Sequence, residues 1–106
     1  MQNKETIPLL IEKLSKDFNL EKDNLPVNSD LEKIREYFIK KITEMMEKDF
    51  ERLLNSLYRI DLSEDKVQKV FYGEEKTNIP EKLADLIIER QMQRVKTQIL
   101  YKQGKL

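Results

Sequence analysis

The amino-acid sequence predicts an all-α fold, a bundle of about four helices of which two are long. Its 106 residues include only two glycines and three prolines, and good helix formers far outnumber the strand-forming valines and threonines. Apolar residues recur three or four positions apart along four segments, which is the spacing of one helical face. The length suits a single helical domain over residues 1–106.

The first predicted helix covers residues 6–18. Its apolar stripe consists of Ile7, Leu10, Ile11, Leu14 and Phe18. The charged residues between them, Asp17 included, are assigned to the other side of the helix. A loop is predicted over residues 19–29, because Pro26 disfavours helical backbone at Leu25 and the segment is rich in turn-forming asparagine. We expect Leu20, Leu25 and Val27 to pack this loop against the bundle.

The second predicted helix covers residues 30–59, with Ser29 or Asp30 as its N-cap. Its apolar residues fill a wide arc, as expected of a helix packed against two neighbours. They are Leu31, Ile34, Phe38, Ile42, Met45, Met46, Phe50, Leu53, Leu57 and Ile60. Such a helix would be about 45 Å long, longer than a domain of this size is wide. The sequence therefore predicts that the helix either bends or projects and needs a partner.

Two further helices are predicted over residues 63–72 and 79–103. Ser63 is a favoured N-cap for the third helix and Asn78 for the fourth, which Gly104 can end. The fourth helix carries apolar residues at helical spacing: Leu83, Ala84, Leu86, Ile87, Ile88, Met92, Val95, Ile99 and Leu100. Short connections favour antiparallel neighbours, and the helix lengths also allow a dimer whose long helices pair across a two-fold axis.

The composition excludes the commonest kinds of catalytic chemistry. The chain has no cysteine and no histidine, so it lacks thiolates, the commonest zinc ligand and the commonest general base near neutral pH. Two isolated glycines make no phosphate-binding loop. Glu44, Glu47 and Glu51 share one side of a helix, but that side is opposite the apolar stripe, where a solvated acidic face is expected. The sequence predicts no enzymatic activity, no cofactor and no metal site.

Membrane and targeting signals are also missing from the sequence. No apolar run approaches the ~20 residues that span a bilayer, and residues 1–5 lack the basic-then-apolar layout of a signal peptide. Together with the absence of cysteine, these features predict a soluble protein of the cytoplasm.

Asp49 is the most informative irregularity, since it lies between Met46 and Leu53 near the centre of an apolar arc. An ionised carboxylate in a core is costly unless it is paired. We therefore expect Arg90 or Arg94 to pair with it across antiparallel helices, in an ion pair that fixes helix register or a dimer seam. The alternatives are a small polar site between helices, or an uncovered segment where Asp49 reaches solvent. The full predicted interhelical network is Asp49, Arg52, Arg59, Asp61, Arg90 and Arg94.

Charge is unevenly distributed along a chain whose formal net charge is zero. Residues 61–89 carry eight acidic and four basic side chains, whereas residues 90–106 carry five basic and no acidic ones. The basic residues form a candidate surface for phosphate backbones: Arg90, Arg94, Lys96, Lys102 and Lys105. Basic residues also suit a helix C-terminus, and pairing with the acidic stretch 61–89 of the same or a neighbouring subunit is the preferred explanation.

Two segments of the C-terminal half carry a resemblance to other proteins: LLNSLYRIDLS at residues 53–63 and LIIERQ at residues 86–91. They resemble small uncharacterised helical proteins of bacteria. The resemblance implies an all-α bacterial protein with no known activity, and it assigns no functional residues.

These observations favour a non-enzymatic helical protein that acts through protein–protein association, as a homodimer or as an accessory subunit of a larger complex. The wide apolar arc, the length of the second helix and the uneven charge support this hypothesis. The alternative is a nucleic-acid-associated protein that uses the basic C-terminal helix.

Overall fold

The computed structural model describes residues 6–20, 30–73 and 77–104, and these ranges form five α-helices without a strand. The helices are α1 (Thr6–Phe18), α2 (Leu31–Lys48), α3 (Phe50–Arg59), α4 (Glu64–Tyr72) and α5 (Ile79–Lys102). The predicted all-α bundle is confirmed. The expected packing of Leu25 and Val27 and the candidate cap Ser29 lie outside the described residues.

Helix α5 is the central element of the bundle. It packs against α2, α1 and α4, while α3 packs against α2 and α1. The buried apolar side chains form one core: Leu10, Leu14, Phe18, Leu20, Ile34, Phe38, Ile42, Met45, Leu53, Leu57, Ile60, Val70, Leu83, Ala84, Ile87, Ile88, Val95 and Ile99. Within it, Phe18 and Phe38 meet edge to face with ring centroids 5.0 Å apart, an arrangement that their ring quadrupoles favour. The position of every other helix is therefore set directly or indirectly by α5.

The prediction of one continuous helix over residues 30–59 is wrong in one respect. In the structure, this segment is divided at Asp49 into α2 and α3. The Asp49 N–H still donates to the Met45 carbonyl at 2.8 Å, and the Asp49 carbonyl accepts from the Leu53 N–H at 3.2 Å. The backbone angles of Asp49, φ −154° and ψ 68°, nevertheless leave the helical region. Its side chain caps α3, since Oδ1 accepts from the Arg52 backbone N–H at 3.2 Å. The long helix thus bends, which is one of the two outcomes that its length required.

The other helix ends differ in how they are capped. Asp30 caps α2 through a 2.9 Å hydrogen bond from the Lys33 backbone N–H to its Oδ1. Ser63 and Asn78 occupy the N-cap positions of α4 and α5, although their side chains make no capping hydrogen bond. Gly104 follows α5 with a φ of 71°, the left-handed backbone that favours glycine after a helix.

We expect Asp49→Ala to lower the free energy of unfolding by about 1 kcal/mol, because α3 loses the acceptor for one of its first N–H groups. Asp49→Asn is the matched control, since asparagine caps helices as well as aspartate does. Urea unfolding followed by circular dichroism measures both variants. Equal losses in the two variants would contradict the capping role of Asp49.

Candidate functional site

Asp49 lies at the surface and not in the core. Its carboxylate makes the capping bond to α3 and no ion pair with any described residue. The expected pair with Arg90 or Arg94 is therefore wrong, and the alternative that Asp49 reaches solvent is the one that the structure shows. The physical reason is the helix break, which turns a position within a long apolar arc into a helix end.

The Arg90 guanidinium contacts the turn between α3 and α4. Its Nε donates to the Ile60 carbonyl at 2.9 Å, and its Nη2 lies 3.9 Å from Oδ2 of Asp61. The Asp61 side chain is 94% exposed, so water screens the ion pair and the hydrogen bond to the carbonyl is the stronger contact. Arg90 thereby satisfies a backbone carbonyl at the end of α3.

A partly buried polar cluster links α1 to α5. Gln91, which is 0% exposed, donates from Nε2 to Oδ2 of Asp17 at 2.7 Å. Arg94 Nη1 donates to the same Asp17 oxygen at 3.1 Å and to Gln91 Oε1 at 2.9 Å. The buried Asp17 carboxylate therefore has a cation and an amide to replace its lost hydration. We refer to Asp17, Gln91 and Arg94 as the polar triad.

The six residues predicted as one interhelical network fall into separate places. Arg94 belongs to the polar triad, and Arg90 and Asp61 belong to the α3–α4 turn. Arg52 and Arg59 are exposed and have no ion pair among the described residues. The prediction of a single network around a central carboxylate of the second helix is therefore wrong.

The sequence-based prediction did not include Asp17 and Gln91, although their spacing from apolar residues on the same helix indicates that both lie at or near the core. Asp17 follows Leu10 by seven positions, or two helical turns, so it borders the apolar stripe of α1. Gln91 lies four positions from both Ile87 and Val95, which places it within the apolar stripe of α5. A polar residue at core spacing on each of two helices is the pattern that predicts a buried hydrogen-bonded pair.

A polar cleft of about 360 Å³ lies where the C-terminal end of α1 meets α3. The residues that line this polar cleft are Lys16, Asp17, Asn19, Asp49, Glu51, Arg52, Asn55, Ser56 and Arg59. Most of them are exposed, whereas Asp17 and Ser56 are buried at its base. The cleft therefore offers charged and hydrogen-bonding groups in one concave place, which suits a small polar ligand.

The basic surface predicted from the sequence is only partly present. Arg90 and Arg94 each turn to an aspartate of the same chain, and Lys105 lies outside the described residues. Lys96 and Lys102 are exposed on α5. Lys96 and Lys102 are thus the described residues of this surface that have no acidic partner in the described part of the chain. The nucleic-acid hypothesis stays a prediction.

An aromatic face spans α3 and α4. It consists of six residues that line a groove of about 200 Å³: Phe50, Leu54, Tyr58, Val67, Phe71 and Tyr72. Tyr58 and Tyr72 are 71% and 81% exposed. Phe50 and Phe71 pack edge to face with ring centroids 5.5 Å apart. Contiguous exposed aromatic side chains of this kind mark interaction surfaces.

Two further kinds of feature, metal sites and membrane-spanning helices, are not found in the described part of the chain. No group of three or more acidic side chains there is arranged to hold a metal ion, and Glu44, Glu47 and Glu51 are all exposed. None of the helices described combines the length and the apolar character needed to cross a membrane.

A surface ion pair joins α2 to α5. Arg35 donates from Nε to Oδ1 of Asp85 at 2.6 Å and from Nη2 to Oδ2 at 3.2 Å. The hydrogen bond to Asp85 and the negative charge of Asp85 raise the pKa of the Arg35 guanidinium above its ordinary value, so the guanidinium stays charged. Both side chains are substantially exposed, so the pair orients the two helices more than it stabilises them.

No protein-family model matches the chain, and neither a curated protein nor a solved structure matches it. The resemblance of residues 53–63 and 86–91 to small bacterial helical proteins stays a prediction. The function is therefore proposed from the geometry of the described residues.

We expect Gln91→Met to lower the free energy of unfolding by about 2 kcal/mol, because the buried Asp17 carboxylate loses a donor while the side-chain volume is kept. Asp85→Asn is the control at an exposed ion pair and is expected to cost less than about 1 kcal/mol. Urea unfolding at neutral pH measures both variants. A Gln91→Met variant as stable as the unmodified protein would contradict the structural role of the polar triad.

Proposed function

We propose that the protein acts without catalysis, as a cytoplasmic helical protein that associates with a second copy of itself through the aromatic face. The exposure of Tyr58 and Tyr72 beside an apolar groove carries this proposal. Burying these side chains in an interface removes a large apolar area from water, while their hydroxyl groups keep access to hydrogen-bond partners at its edge.

The packing of α4 supports the proposal. This helix has nine residues, of which only Val70 is buried, and a helix of that length is marginal without tertiary contacts. Val67 and Phe71 are only partly covered by the core. A second copy on the aromatic face would cover this side of α4 and add the packing that the single chain does not provide.

The charges of α4 favour a second copy as the occupant. Asp65 lies in the first turn of α4 and Lys69 follows four positions later; both are exposed and have no ion pair with any described residue. Neither residue lines the groove, but both lie at the edge of the aromatic face, on the Tyr72 side of α4. Two α4 helices that run antiparallel across a two-fold axis can bring Asp65 of each chain close to Lys69 of the other. The protruding tyrosines and the groove also belong to one patch, as a self-complementary interface requires.

Two alternatives have less support. The nucleic-acid hypothesis has only Lys96 and Lys102 as exposed cations from the predicted basic surface in the described residues. An accessory subunit would use the same aromatic face to contact a different protein, and its isolated chain would be a monomer.

In sedimentation experiments we expect the unmodified chain to form dimers and Tyr58→Glu/Tyr72→Glu to be monomeric, because buried glutamates leave uncompensated charge in the interface. Loss of an interface hot spot costs on the order of 2 kcal/mol, which weakens a dimer roughly 30-fold. Tyr101→Glu is the matched control, since Tyr101 is 75% exposed on α5. A chain that stays monomeric at millimolar concentration would overturn the proposal, as would equal dissociation by Tyr101→Glu.

Charge reversal tests the antiparallel arrangement of α4. Asp65→Lys and Lys69→Asp are each expected to weaken the homodimer at low salt, because like charges then face each other across the two-fold axis. An equimolar mixture of the two variants is expected to form a heterodimer, which a size tag on one chain distinguishes from either homodimer. A mixture no more associated than its separate components would contradict this arrangement.

A further inference from the structure

The polar cleft contains the two arginines that have no acidic partner in the described part of the chain. Arg35, Arg90 and Arg94 each pair with an aspartate. Arg52 and Arg59, by contrast, are exposed in the cleft, and their side chains make no hydrogen bond or ion pair with any described residue. A guanidinium presents a planar fork of donors that matches phosphate and carboxylate oxygens. Two such forks are therefore available in one concave site.

Of the three carboxylates that line the cleft, only Asp17 has a cationic partner in the described part of the chain. Asp17 is held by the polar triad, and Asp49 accepts a backbone N–H of α3. Glu51 is the remaining acid of the lining, whereas Lys16 adds a third exposed cation. With Asp17 balanced by Arg94, the lining keeps three cations against the two exposed carboxylates of Asp49 and Glu51, which leaves a charge of +1. A concave site with an excess of positive charge attracts anions.

The polar groups on α3 have helical spacing. Positions i, i+3, i+4 and i+7 are Arg52, Asn55, Ser56 and Arg59, and all four line the cleft. Such positions share one face, and the two end positions are about 10 Å apart along the axis. The long arginine side chains can therefore reach one group from opposite sides, with the Asn55 carboxamide between them. The Asn55 side chain makes no hydrogen bond with any described residue.

We propose that the polar cleft binds a small phosphate monoester, whose phosphate lies between Arg52 and Arg59 and accepts a hydrogen bond from Asn55. A phosphate dianion has three terminal oxygens, so it can accept from two guanidinium groups and an amide at once, whereas a single carboxylate has two. The volume of about 360 Å³ leaves room for the organic part of the ester. The cleft shares no lining residue with the aromatic groove, so this proposal does not depend on dimer formation.

Titration of the full chain with glycerol 3-phosphate, followed by heteronuclear NMR, tests the proposal. We expect millimolar binding, with chemical-shift changes confined to residues 16–19 and 49–59. Arg52→Gln/Arg59→Gln is expected to weaken binding at least tenfold, and circular dichroism confirms that the fold of this variant is retained. Lys96→Gln/Lys102→Gln is the matched control, because it removes the same charge from α5 and is expected to leave the affinity unchanged.

Succinate separates phosphate recognition from a general attraction of anions, since it is a dianion without a phosphate group. We expect succinate to bind at least tenfold more weakly than glycerol 3-phosphate. Equal affinity for succinate would overturn the assignment to phosphate. Shifts outside the cleft only, no shifts at all, or equal losses of affinity in the two double variants would overturn the site itself.

Discussion

The helix break at Asp49 determines what the surface of this protein presents. Without it, residues 30–59 would form a single rod of about 45 Å, longer than the domain is wide. Asp49 instead completes α2 through its N–H and begins α3 through its carbonyl and its side chain. The change of direction allows α3 to pack against α1 as well as α2. Both the polar cleft and the aromatic face are built on the short helix that this break creates.

The residues of helix α3 fall into three sets with different surroundings. Each set repeats at spacings of three or four positions, so each occupies its own side of the helix. The core side is Leu53, Leu57 and the following Ile60; the cleft side is Arg52, Asn55 and Arg59; and the aromatic side is Phe50, Leu54 and Tyr58. Six of the ten residues of this helix are exposed, and each of them lines either the polar cleft or the aromatic groove. Because the two sets lie on different sides of the helix, the two proposed sites share no residue.

The sequence predicts the helices of this fold well because helical periodicity is local. Helices α1, α4 and α5 match the predicted bounds within one residue at both ends, and α2 and α3 do so at the start and at the end, respectively, of the predicted second helix. The break at Asp49 could not be predicted in the same way, because Met46 and Phe50 continue the apolar spacing on either side of it. An aspartate that caps a new helix and an aspartate buried within a long one occupy the same position in an apolar pattern. Only tertiary packing distinguishes the two cases.

The candidate sites were less predictable than the helices, because their contacts join residues far apart in the sequence. The hydrogen bond between Gln91 and Asp17 spans 74 positions. Arg94 was predicted to meet an acid across helices, and it does, but that acid lies on α1 and not on the second helix. Periodicity can place a polar residue on a buried side of its own helix, but it cannot name the residue that faces it.

Asp17 connects the core of the bundle to the polar cleft. The same carboxylate that accepts from Gln91 and Arg94 also lines the cleft. Because Arg94 lies 3.1 Å from this carboxylate, α5 compensates its negative charge. The three cations of the cleft then outnumber its two other carboxylates, Asp49 and Glu51, by one. Without Arg94, Asp17 would present an uncompensated charge next to those cations and compete with any bound anion. The polar triad therefore contributes to the charge balance of the polar cleft and also joins α1 to α5.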